Sequence, residues 1–484
     1  MSGGQGTENE SPYRWVALSI ASLGTLLGVL NATTLLIALP DIMVNLHTDL
    51  LGVMWVLISY MLIITILAPA WGRLADIHGR KKLYVAGLAV FTIGSLLCGF
   101  AADVTQLIAF RIVQAVGGSL LIANGTIIVA DAFRQQELGR AMGIISMIAA
   151  AAAMFGPVLG GVLTLIDWRL NFFINIPIGI AATWWAQKNL REPGEFGRAE
   201  PFDMKGMVYF TVAFVTGLVY ISVAFLVGWT SLPMLACLAV SLLMFAAFYR
   251  HEITCKSPLI DLSLFSHRIF FFGQLSALIN AVARGAVMIL LILFFQGPRG
   301  CDPLTASILI IPAAVAIAIT GPIGGYLSDR FGSREIATLG LAISFAGLLG
   351  LATIQYDTPY PVLAFWMFFN NFGSGLFQPP NTSAIMAAVP VDRRGLASSM
   401  RALLGNAGMI ISMAIATPLI MGTMPLSDMM NMFVLGGAQM PVAEQVAFTN
   451  GVALAFYISA AITVPAIIVS AMRGKGDIRG NQPS

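Results

Sequence analysis

Apolar residues in this chain fill long unbroken blocks separated by short polar turns. They show neither the alternation of a half-buried strand nor the one-sided stripe of a surface helix. Each block runs to about 18–25 residues, enough for one helix to cross a hydrocarbon layer of roughly 30 Å. The pattern predicts fourteen spans, at 15–39, 53–74, 83–100, 104–129, 138–165, 169–187, 206–227, 229–249, 270–296, 303–327, 336–354, 361–388, 397–421 and 446–470. They divide as six, two and six. The expected fold is an all-α polytopic membrane protein of two six-helix bundles, 1–187 and 270–484, with an inserted central helix pair and linkers over 188–269.

Charge placement tests that count independently. With the first residue inside, the inner segments hold Arg14, Arg73, Arg80, Lys81, Lys82, Arg134, Arg140, Lys188, Arg191, Arg198 and Lys205. Arg250, Lys256, Arg268, Arg330, Arg334, Arg393, Arg394, Arg473, Lys475 and Arg479 continue the series, against only Arg169 and Arg299 outside. Lys and Arg accumulate on the cytoplasmic side of membrane proteins, so a multi-pass cell-membrane protein with both termini in the cytoplasm is expected. The opening MSGGQGTENESP lacks the order of a signal peptide and reads as a short inner tail. The longest outer stretch, 422–445, contains MMNMF and then Pro441; it reads as a connector, a surface-lying segment or a cover over the outer mouth.

Composition narrows the class. Charged residues make up 10% of the chain, where a soluble domain carries roughly 25%. The mean hydropathy is +0.85. A net charge of +3, scattered over short loops, excludes a nucleic-acid binder. Cys98, Cys237, Cys255 and Cys301 form no CxxC pair, so neither a disulfide framework nor a thiolate metal site is expected. No loop holds HExxH, GxSxG or a phosphate-binding loop, which argues against an enzyme, and no cofactor is expected.

One charged turn occurs twice. Residues 72–82 read GRLADIHGRKK, and roughly 250 positions later Gly325 to Arg334 read GYLSDRFGSR. Both keep the same order of Gly, Asp and Gly: Gly72, Asp76 and Gly79, then Gly325, Asp329 and Gly332. An internal echo between two apolar halves is expected of a duplicated membrane carrier. Gly permits tight reversal, and Asp76 can pair with Arg80, Arg134 or Arg140 to latch the inner side. A static loop anchor is the alternative.

The run Gly72-Arg73-Leu74-Ala75-Asp76 with Gly79-Arg80-Lys81-Lys82 resembles the inner-loop signature of the major facilitator superfamily. Arg111 to Gly117 (RIVQAVG) resembles its fourth-span motif, and Gly156-Pro157-Val158-Leu159-Gly160-Gly161 its fifth-span antiporter motif. Asp167-Trp168-Arg169 leading to Asn175-Ile176-Pro177 also matches, and the whole chain is similar to the fourteen-span drug:proton antiporters of the QacA/EmrB type. The resemblance implies a major facilitator fold, multidrug efflux of amphipathic compounds, proton antiport and a role for Arg111 in proton movement. One letter departs from it: Asn31 stands where the family commonly carries a first-span Asp, and Asn cannot exchange a proton near neutral pH.

The residues themselves add a polar interior. Arg111, Arg284 and Arg401 fall within predicted spans, where a guanidinium costs several kcal/mol unless it faces a cavity or partner. Asp and Glu all fall in loops, tails or span edges. Asn31, Gln114, Asn124, Gln274, Asn280, Asn370, Asn371, Gln378 and Asn406 supply amides instead. An amide- and arginine-lined cavity suits neutral, zwitterionic or anionic amphiphiles better than permanent cations. Phe368, Phe369, Phe372 and Phe377, around Asn370 and Asn371 and with Gln378 beside them, make the twelfth predicted span the first candidate for cargo contact, with lipid-facing aromatics as the alternative. Gly156, Pro157, Gly160 and Gly161 suit a bent, tight helix seam. Asp41, Asp131, Asp167 and Asp302 are the edge carboxylates open to a coupling proton. Partners expected are membrane lipids, small amphipathic molecules and protons, with the chain a monomer. A flippase or exporter of a lipid-like metabolite, uptake of a small solute, and a non-transporting sensor or scaffold stay open as other readings.

Overall fold

A computed structural model describes residues 10–133, 135–192, 203–255, 262–389, 394–435 and 440–474, and among these every regular element is helical. The protein is an all-α, polytopic membrane protein. It divides into two compact units, residues 1–48 with 55–202 and residues 203–484 with 49–54.

The first unit holds α1 (Glu10–Asn45), α2 (Leu50–His78) from residue 55 onward, α3 (Arg80–Gly99), α4 (Val104–Ala132), α5 (Gln135–Ile166), α6 (Leu170–Phe173) and α7 (Asn175–Asn189). Helix α1 packs along α5 and α4, and α3 along α4 and α7. Asp103 starts α4 by accepting from the backbone of Gln106 at 2.8 Å.

The second unit begins with α8 (Met204–Val227) and α9 (Leu232–Thr254), then a 3-10 turn at Leu262–Ser266. It continues with α10 (Arg268–Arg284), α11 (Val287–Gln296), α12 (Pro303–Leu309), α13 (Ile311–Phe331), α14 (Ser333–Ala352) and α15 (Tyr360–Ala387). The last three are α16 (Arg394–Met421), α17 (Leu426–Leu435) and α18 (Val442–Ala471). Helices α8 and α9 pair with each other, and α8 docks on α16, where Phe210 of α8, Phe248 of α9 and Leu403 of α16 form one cluster.

Twelve helical segments among the described residues are long and apolar enough to cross a membrane. Two of the fourteen predicted spans fall short of that measure. Segment 169–187 is broken at Ile174 into α6 and the 15-residue α7. Segment 361–388 is the 28-residue α15, long enough but diluted by Asn370, Asn371, Gln378 and Asn381. Stretch 422–445, read above as connector, cover or surface segment, contains the helix α17. Its Met429 and Met432 are buried, and Phe433 meets Phe448 of α18 edge-on at 6.0 Å.

Lipid tails are as apolar as Leu, so helix association here rests on close packing rather than on hydrophobic expulsion. The seams show it. A Cβ on Gly94 of α3 would lie 2.5 Å from Cα of Gln114 on α4; a Cβ on Gly347 of α14 would lie 2.5 Å from Cα of Asn370 on α15. The same two-helix seam is thus built once in each unit. The charged turn repeats as faithfully: Gly79 has φ 100° and ψ 131°, and Gly332 has φ 99° and ψ 143°. Residues with a Cβ are essentially excluded from that region, so both positions require glycine.

Candidate functional site

In the first unit the polar residues of four helices meet. Arg111 of α4 is buried and its Nη1 donates to Asn31 Oδ1 of α1 at 3.2 Å and to Gln114 Oε1 at 2.6 Å. Its Nε donates to the Val56 carbonyl of α2 at 3.2 Å. That carbonyl is part of the α2 backbone but has a second lone pair to spare. Gln114 Nε2 donates in turn to Asn31 Oδ1 at 3.1 Å and to Ser95 Oγ of α3 at 2.6 Å. The Tyr60 ring lies 4.0 Å from the guanidinium carbon, and Phe172 of α6 lies 5.9 Å away. Aromatic faces carry negative potential, so they offset part of the cost of burying the cation. No carboxylate stands among the polar contacts of Arg111 in the described residues.

The second unit repeats this theme with the partners exchanged. Arg284 closes α10, and its Nη2 donates to Asn371 Oδ1 of α15 at 2.8 Å. Asn371 Nδ2 donates to the Met367 carbonyl at 2.9 Å, and Ser344 of α14 donates to Asn370 Oδ1 at 2.7 Å. Arg284 Nε is buried without a hydrogen-bond partner. The first unit carries its arginine on α4 and its amide on α1. The second carries its amide on α15, the counterpart of α4, and its arginine on α10, the counterpart of α1.

A third cluster was not legible in the sequence. Arg473, which follows α18, is 1% exposed, and its Nη2 donates to Ser276 Oγ at 3.2 Å and to Asn381 Oδ1. Asn381 Nδ2 donates to the Gly273 carbonyl at 3.2 Å. Its apolar neighbours end at Met472, so by sequence it counts as one more inner-side charge; no letter nearby marks it as buried. Ser95, Tyr60, Val56 and Ser276 were missed for a related reason, since Ser and Tyr are ordinary span residues.

The remaining predicted residues fall as follows. Gly156, Pro157, Gly160 and Gly161 are buried in α5; Gly156 abuts Thr33, and a Cβ on Gly160 would lie 2.6 Å from the Thr34 carbonyl oxygen of α1. Gly79 is covered by Glu192, whose Oε1 accepts from Lys81 N at 3.3 Å. Arg80 starts α3, and Gly325 is half-buried in α13 with open space around it. Gly72, Arg73 and Asp76 in α2 and Asp329 in α13 lie outside the residues whose surroundings are described. Arg401 is half-buried on α16. Phe369 stacks on Phe365 at 5.7 Å and Phe372 tilts against Phe368 at 6.0 Å. Phe377 is packed with Ala337, Leu341 and Ala466, and Gln378 is exposed.

Helices that cross a bilayer many times and gather buried cations, amides and aromatics within each bundle define a membrane carrier. The profile of the Major Facilitator Superfamily matches residues 21–413 and 274–477, and the chain belongs to that superfamily. It is a secondary transporter of small molecules, not an enzyme. It is 31% identical over 398 residues to the riboflavin transporter RibZ of Clostridioides difficile (strain 630), covering 81% of this chain and 85% of that one. It is 30% identical over 408 residues to the multidrug resistance protein Stp of Mycobacterium tuberculosis (strain CDC 1551 / Oshkosh), covering 83% and 74%. Its fold is similar to that of a bacterial homolog of the human lysosomal transporter Spinster in an inward-facing, unoccupied conformation, with a TM-score of 0.69, 18% identity and 96% and 97% coverage.

Proposed function

We propose that this protein is an alternating-access exporter of amphipathic small molecules in the cell membrane, driven by proton influx and allied to the fourteen-span drug:proton antiporters. One observation carries the cargo class: Arg111 is buried among neutral partners, Asn31 and Gln114, with no carboxylate among its described contacts. A net positive interior favours neutral or anionic head groups over permanent cations, because desolvating an ion needs an opposite charge or several dipoles. The names of relatives, among them a riboflavin transporter and several multidrug resistance proteins, support a cargo that combines flat apolar surface with polar substituents. Phe369 and Phe372 are the proposed aromatic contacts and Arg284 with Asn371 the polar ones. Phe377 is left out because it is buried in a core cluster with Ala337, Leu341 and Ala466.

Asn31 has no titratable proton near neutral pH, so we assign coupling to a group elsewhere. Asp41, half-buried in α1 beyond Asn31, is the candidate we assign. The test is purified protein in liposomes with an imposed pH gradient, offered riboflavin, an anionic amphiphilic dye and a quaternary ammonium dye. The first two should accumulate with the gradient and the third should not. Asp41→Asn should abolish gradient-driven accumulation while leaving exchange across equal pH intact. Preference for the quaternary dye would sink the cargo assignment; transport indifferent to the gradient would sink the coupling.

A further inference from the structure

The inserted helix pair brings together three side chains that transport leaves unused. Asp203 stands immediately before α8 and caps it, Oδ1 accepting from Gly206 N at 2.9 Å. His251 lies in the last turn of α9, its Nε2 2.7 Å from the same Oδ1. Cys255 follows α9 directly. The ligand-capable atoms of the three lie within 4.8 Å of one another. Asp203 is 8% exposed, and its second oxygen, Oδ2, is buried with no hydrogen-bond partner. Leaving a buried carboxylate oxygen unmatched costs on the order of 1–3 kcal/mol, and more for a charged group. The Asp203–His251 contact satisfies Oδ1 alone. Tyr209 meets the His251 ring edge-on at 5.8 Å and limits where that ring can turn.

We propose that Asp203, His251 and Cys255 form a site for a divalent transition metal of zinc type. One carboxylate oxygen, one imidazole nitrogen and one thiolate are donors that zinc and cobalt both accept. Tetrahedral bonds of roughly 2.0–2.3 Å set ligand atoms roughly 3.3–3.7 Å apart. His251 and Asp203 therefore open by less than about 1 Å and Cys255 swings inward to admit the ion. As the metal binds, the thiol proton passes to solvent, Nε2 of neutral His251 is freed for the ion with the ring proton on Nδ1, and water fills the fourth position. The ion ties the residue before α8 to the residue after α9, closing the hairpin at the end from which both linkers leave. An Asp–His ion pair that merely joins the helices is the rival arrangement, and it is indifferent to metal.

The test uses full-length protein purified in detergent on a histidine-free tag, stripped with a chelator and titrated with Co²⁺. One equivalent should bind with thiolate-to-cobalt charge-transfer absorption, be displaced by Zn²⁺ and raise the thermal midpoint. Cys255→Ser should remove that absorption and weaken binding by more than about 100-fold, with His251→Gln comparable. Cys237→Ser, within α9, should change neither. Wild-type protein that retains no metal, or binding that survives both ligand substitutions, overturns the proposal. A second readout needs no variant: Zn²⁺ should slow alkylation of Cys255 in the wild-type chain, followed by mass spectrometry, and an unchanged rate overturns it equally.

Discussion

At the scale of single residues, Asn31 sets the chemistry around Arg111. Its Oδ1 accepts from both Arg111 and Gln114, so one neutral oxygen stands where a charge would be expected. Asn31→Asp should keep the fold, because the acceptor geometry survives, but add a titratable group that moves the pH profile of transport of the proposed cargo away from the native one. A pH series in liposomes checks it; identical profiles would count against the neutral-interior reading. Glycine at the seams is a separate matter. Gly94→Ala drives a methyl into the backbone of Gln114 and should cost about 1–3 kcal/mol, read as a lower thermal midpoint. Gly405→Ala meets nothing within 4 Å and should be neutral or stabilising by under about 1 kcal/mol. Arg111, Gln114 and Asn31 were readable in the sequence because polar letters stand out in apolar runs. Ser95 and Tyr60 were not, since their role lies in which helix face meets which.

Among the elements, α12 offers a test through its cap. Asp302 Oδ1 accepts from Thr305 N at 3.0 Å and Oδ2 from Thr305 Oγ1 at 2.5 Å. These hydrogen bonds hold its carboxyl below the ordinary carboxylate range. A lowered folded pKa means the capping contribution is complete above the unfolded value of about 3.9 and is lost as pH falls through the folded one. Amide exchange at Thr305 should therefore rise only in strong acid, and Asp302→Asn should remove that acid sensitivity while keeping most of the cap. Asp302→Ala should speed exchange at every pH, at a cost of about 1 kcal/mol. Block length and basic residues located most helices well. They placed α15 at 361–388, against Tyr360–Ala387, but did not show the break at Ile174 that separates α6 from α7, nor the helix α17 inside 422–445.

For the whole molecule, the repeated Gly-Asp-Gly turn made the duplication legible, and Gly79 and Gly332 adopt nearly the same backbone. What no alignment of the two turns reveals is the exchange of arginine and amide between α4 with α1 and α10 with α15. Arg111 and Arg284 share no hydrogen-bond partner, so the stability losses of Arg111→Ala and Arg284→Ala should add to within about 0.5 kcal/mol in the double variant. Thermal midpoints of the four proteins check it. A departure well beyond that figure would mean the two cations are energetically joined.

The lock made by Arg473 bears on biogenesis. That side chain reaches back to Ser276, on α10, and Asn381, on α15, which already meet each other at 3.4 Å, so the cluster gains its guanidinium only once the polypeptide has emerged past α18. A nascent chain stalled just short of this arginine would have its span helices threaded while Ser276 and Asn381 still lacked their guanidinium partner.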